Sequence, residues 1–127
     1  MTKTKRKIAL PAMLVAGLTF ATTALAQADP GEAPFKQRCQ SCHTVAPGGA
    51  SGPLAPNLRG VVGRKAASST YKTYSPALKA SKLVWTQANL DKYLAAPGKL
   101  VPGTRMVIAV SDPAQRALLI AYMAKQR

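Results

Sequence analysis

The chain has 127 residues and a formal net charge of +14, with 18 lysines and arginines against four acids, one histidine and two cysteines. Those three soft-metal residues are too few for a four-ligand structural zinc site. The positive field favours acidic partners, and no basic helix with interleaved aromatics points to nucleic acid. Lys3, Lys5, Arg6 and Lys7 open the chain, an apolar stretch runs from Ile8 to about Phe20, and Ala24-Leu25-Ala26 follows. This order of basic, apolar and small residues reads as a secretory leader, residues 1–26, cleaved after Ala26. The alternative is a retained anchor, but the apolar stretch is broken by Pro11 and Gly17 and falls short of the roughly 20 residues of a bilayer span. Cleavage predicts one periplasmic domain over residues 27–127, which keeps an excess of ten positive charges because four basic residues and no acid precede it. A domain of that size buries a modest core on its own, so a large apolar prosthetic group would supply much of it.

Gly31 to about Ser41 predicts a first helix, with Pro34 tolerated in the opening turn. It leads into Cys39-Gln40-Ser41-Cys42-His43, the C-x-x-C-H pattern of covalent c-type haem attachment. Two cysteines three apart on a helical turn share a face, so both thiols can add to the vinyl groups along one haem edge. The imidazole that follows can bind the iron as proximal ligand. The competing reading, in an oxidising compartment, is a lone disulfide beside a surface histidine. From Ala46 to Ser69 the chain is rich in glycine and proline and reads as loop, of a length that wrapping a cofactor would explain. Ser75-Pro76 predicts an N-cap and first position of a short helix to about Ser81. Thr86 caps another that must stop before Pro97. Asp112-Pro113-Ala114-Gln115 opens the last helix, which runs nearly to Arg127. Its apolar side is expected to hold Leu118, Leu119, Tyr122 and Met123, with Arg116, Lys125 and Arg127 facing solvent. No segment reads as a strand, and the predicted fold is all-α, short helices and long loops wrapped around one haem. Met1 and Met13 lie in the leader, leaving Met106 and Met123 as the candidates for a second iron ligand. Met123 has core spacing, whereas Met106 follows a Pro-Gly turn, where a methionine otherwise fills gaps.

These motifs together resemble class I cytochromes c of the small soluble bacterial kind, similar to mitochondrial cytochrome c. The resemblance covers Gly31 to about Lys125 and rests on CQSCH (39–43), PNLRGVVGRK (56–65), YSPAL (74–78), Trp85, YLAAPGKLVPGTRM (93–106) and LIAYM (119–123), in that order. It implies thioethers at Cys39 and Cys42, and His43 and Met106 on opposite faces of the iron. Pro56 is implied as the carbonyl that accepts the other imidazole N–H. Tyr74, Trp85, Thr104 and Arg64 are implied to surround or hydrogen-bond the propionates, and Tyr93 to lie near the methionine sulfur. Gly31 is implied as the small residue where the first and last helices cross against Tyr122. Gly52-Pro53-Leu54-Ala55-Pro56 offers two prolines, of which Pro56 fits the downstream register. Lys72 and Ile108 stand where the family often has aromatics.

The function so implied is that of a monomeric electron carrier, not an enzyme. Leu58, Leu94, Leu100, Val107 and Ile108 are expected to keep its pocket dry. Lys36, Arg38, Lys99 and Arg105 are expected to ring the haem edge and dock acidic redox proteins, such as a membrane cytochrome complex, an oxidase, a photosynthetic reaction centre or a dehydrogenase. The alternatives are a haem subunit fixed to a larger dehydrogenase or oxidase, and a gas-binding or peroxidase-like protein with Met106 displaced.

Overall fold

Three side-chain caps start three of the helices, and each is set by residues within a few positions of it. The computed structural model describes residues 1–2 and 27–127; the expected leader, apart from Met1 and Thr2, lies outside the described residues. Helix α1 spans Glu32–Arg38, α2 Pro76–Ala80, α3 Gln87–Ala95, α4 Pro97–Leu100 and α5 Pro113–Lys125. Ser75 Oγ accepts from the Leu78 amide at 3.1 Å, Thr86 Oγ1 from Asn89 at 3.1 Å and Asp112 Oδ1 from Ala114 at 2.9 Å. Each satisfies an amide that the first turn leaves without an intrahelical partner. Proline at the first position of α2, α4 and α5 gives up an N–H that has no helical role there. Pro97 therefore ends α3 and also begins α4, a short helix that its role as a stop signal did not anticipate.

Helix α1 is shorter than expected, but its winding continues. The Cys39 amide donates to Phe35 O at 2.8 Å, and the Cys39 carbonyl accepts from Cys42 (3.1 Å) and His43 (2.8 Å). These turns hold the pentapeptide in one compact hook. Among the described residues the only bridges outside helices are Thr44 with Asn57 and Lys65 with Val84, so the architecture is all-α. No described helix is long and apolar enough to cross a membrane.

Helix α5 packs against both α1 and α3. At the α1–α5 crossing the Phe35 and Tyr122 rings lie 5.2 Å apart. A Cβ on Gly31 would fall 2.2 Å from Leu118 O and 2.5 Å from Tyr122 Cβ, so only glycine permits this approach. The crossing keeps the expected face of α5 inward except at one residue. Leu119, Ile120, Tyr122 and Met123 are buried, whereas Leu118 is exposed because its backbone, rather than its side chain, meets Gly31. Arg116, expected in solvent, is largely buried and bonds Asp91 of α3 at 2.7 Å.

Candidate functional site

The hook 39–43, the loop 44–74 and the segment 101–110 enclose a cavity of about 440 Å³. Leu58, Val61, Leu78, Leu90, Leu94 and Leu119 form apolar walls, and Cys39, Cys42, His43 and Met106 all line the same space. Burial pushes the Cys39 thiol up to about 11. It also lowers the His43 pKa, against the opposing effect of a hydrogen bond to Pro56. That bond, His43 Nδ1 to Pro56 O at 2.7 Å, settles the choice between the two prolines. A carbonyl can only accept, so Nδ1 carries the proton and Nε2 keeps its lone pair.

The loop that brings Pro56 to the histidine is organised by Asn57, for which no local motif signals a role. Asn57, 4% exposed, donates to Ala46 O (2.9 Å) and Ala50 O (2.8 Å) and accepts from the Arg59 amide (2.7 Å). The Leu54 and Ala55 amides close onto Cys42 O. Gly52 lies so near the hook that a Cβ would stand 2.2 Å from that carbonyl. Arg64 lines the cavity, and two of its five N–H donors are engaged by Arg59 O and Asn57 O, both at 2.9 Å. It braces the loop.

Tyr74 bonds Ser69 through its hydroxyl and stands edge-on to Tyr71, ring centroids 5.0 Å apart. Tyr71, which no motif singles out, donates to Leu54 O at 2.8 Å and lines the cavity. Trp85 and Tyr93 are buried with rings 4.9 Å apart, and both line the cavity. The Tyr93 hydroxyl pairs with that of Thr104, which also accepts from the Met106 amide at 3.4 Å; burial raises the Tyr93 pKa. Arg105 Nη1 donates to Thr73 O at 3.0 Å, tying the Met106 segment to the chain ahead of α2.

Not every expected residue is gathered here. Arg38 and Arg105 line the cavity; Lys99 does not, and Lys36 faces a separate hollow with Phe35 and Gln40. The Lys36 ammonium is engaged by Glu32 at 2.6 Å, the i,i+4 partner on its own helix. Of the apolar residues expected inside, Leu58 and Leu94 line the wall and Leu100 does not. Val107 and Ile108 are 82% and 49% exposed, which places them at the mouth. Their chain has left the packed end of α4 before α5 begins, so no neighbouring element covers them.

Haem, the group that C-x-x-C-H calls for, fits these residues. Two thiols and a correctly tautomeric imidazole stand on one hook, a thioether lines the same cavity, and the walls are apolar. No cluster of three or more His, Cys, Asp or Glu exists among the described residues to hold a bare metal ion instead.

Comparison with known proteins bears on the same residues. The family model described as cytochrome c matches residues 28–127. The cytochrome c2 of Rhodomicrobium vannielii is 45% identical over 118 residues, covering 91% of this chain and 93% of that protein. The cytochrome c of Theileria parva is 46% identical over 90 residues, 70% of this chain and 76% of that one. The solved structure of cytochrome cH from Methylobacterium extorquens superposes with a TM-score of 0.66 at 42% identity, covering 73% of this chain and 92% of that one. A cavity built for a tetrapyrrole and relatives that match nearly the whole described fold lead to one conclusion: this chain belongs to the class I cytochromes c, electron carriers rather than enzymes, and holds one haem c covalently through Cys39 and Cys42.

Proposed function

We propose that the protein is a periplasmic carrier whose haem iron is bound by His43 and Met106 and which docks acidic redox partners at the cavity mouth. The observation that carries this reading is the His43–Pro56 bond at 2.7 Å facing a cavity that Met106 also lines. The bond fixes the imidazole with Nε2 available and raises its basicity. When bound, haem c supplies the one-electron ferric–ferrous couple, at a potential raised by methionine ligation. The protein's part is to exclude water and to hold both ligands through the change of charge. Leu58, Leu90 and Leu94 do the first. The Pro56 carbonyl and the Tyr93–Thr104 pair, which grips the amide of Met106, do the second.

The charge distribution supports acidic partners. Each of the four acids in residues 27–127 is occupied: Asp29 by Lys125 at 2.7 Å, Glu32 by Lys36, Asp91 by Arg116, and Asp112 by the cap of α5. None lines the cavity, whereas Arg38, Arg64, Lys65 and Arg105 do. Among the described residues no acidic side chain offsets these cations at the cavity, and such a field steers association. The leader 1–26 is the basis for placing the carrier in the periplasm.

The test of ligation is the ferric near-infrared sulfur-to-iron band of the purified protein. Met106→Ala should keep covalent haem, lose the band and lower the potential, while Met123→Leu should leave both unchanged. The reverse result would reassign the ligand to Met123.

A further inference from the structure

Met106 rides on a segment between α4 and α5 that is tied down only at its ends. At the near end stand the Thr104–Tyr93 pair and the Arg105 bond to Thr73 O. At the far end the Val110 amide donates to Leu94 O at 2.8 Å. Between them, residues 107–109 make no backbone hydrogen bond among the described residues, and Val107 and Ile108 are exposed. The far end has a second tie. Arg116 Nη1 donates to Val110 O at 3.0 Å and Ser111 O at 2.9 Å, and its Nε bonds Asp91 Oδ1 at 2.7 Å. The Arg116 side chain is 11% exposed and that of Asp91 46%.

We infer that Arg116, held in place by Asp91, is a positioning residue for the iron ligand: it closes the far end of the Met106 segment and so keeps the methionine sulfur on the iron. The inference rests on the ligation proposed above. A guanidinium is a planar fork with donors in fixed directions. Here it spans two elements at once, with α3 on one side and the exit of the ligand segment on the other. An ammonium has no such fork. Without Arg116 the buried carbonyl of Val110 loses a donor, a costly state that outward movement of the segment into water relieves. Only three residues separate Val110 from Met106, so that movement draws the sulfur away and opens the iron to a competing ligand.

The experiment is a titration of the ferric holoprotein with imidazole, which competes with the methionine sulfur, read from the Soret shift and the loss of the sulfur-to-iron band. Arg116→Lys should bind imidazole about tenfold more tightly than the parent, a change of about 1.4 kcal/mol. Asp91→Asn leaves the arginine present but removes its anchor; it should give a rise of about threefold and serves if Arg116→Lys does not take up haem. Asp29→Asn breaks an ion pair at the other end of α5 and should bind imidazole as the parent does. No rise in Asp91→Asn overturns the inference. So does an equal rise in all three variants, since coupling would then run through general stability. Absence of the band in the parent protein would instead remove the ligation itself, and it is read before any variant is compared.

Discussion

The residue that organises the proximal side of the site is Asn57, because one amide group serves three backbone partners of a glycine-rich loop. A carboxamide has two N–H donors and an acceptor oxygen, and Asn57 spends them on Ala46 O, Ala50 O and the Arg59 amide. The neighbouring carbonyl of Pro56 is thereby held where it can accept from His43. Replacing Asn57 with Ala leaves those carbonyls without a buried donor, a loss of about 1–3 kcal/mol. We expect Asn57→Ala to lower the denaturation midpoint of the holoprotein, measured by guanidinium titration of the Soret band, and Asn57→Asp, which turns a carboxylate oxygen towards the same two carbonyls, to lower it at least as much.

At the level of elements, the decisive contact is the crossing of α1 and α5. Gly31 allows the last helix to lie against the first, and this sets which face of α5 turns inward. An added methyl would meet Leu118 O and the Tyr122 Cβ, neither of which is the free end of a flexible chain. Overpacking of this kind costs about 1–3 kcal/mol, and at the N-cap of α1 alanine is also the poorer residue, so Gly31→Ala should be destabilising. A parental or raised melting temperature for that variant would show that the helices can separate without loss.

The whole molecule is a thin apolar shell around a cavity of about 440 Å³, and a domain this small has little other core. The double variant Cys39→Ala, Cys42→Ala, which cannot attach haem, should show no cooperative thermal transition by circular dichroism. Charge acts on the same scale. Screening lengths are about 8–10 Å at ordinary salt, so electron transfer to an acidic acceptor should slow steeply as ionic strength rises in stopped-flow oxidation. Arg38→Glu and Arg105→Glu, at the cavity, should reduce the bimolecular rate more than Lys99→Glu, off its wall, and Arg127→Glu least of all. Equal effects across the four variants would reduce the positive charge to a solubility feature.

What the sequence determined by itself is whatever depends on residues a turn or less apart. Cys39, Cys42 and His43 are brought together by the hook they form. Ser75, Thr86 and Asp112 cap helices whose first amides lie two or three positions ahead. For the same reason the capture of Lys36 by Glu32, one helical turn apart, is legible in the chain, and it takes that lysine out of the expected docking set. The tertiary structure decided what depends on distant segments meeting. Arg116 looks like a solvent residue on α5 until α3 brings Asp91, 25 positions earlier, to its guanidinium. Leu118, expected on the apolar side of α5, is exposed, and its carbonyl lies against Gly31. Arg64 lines the cavity while two of its donors brace the loop that Asn57 folds. Helical spacing orders neighbours along one element, but which side of that element is inside depends on what packs against it, and no local pattern records that.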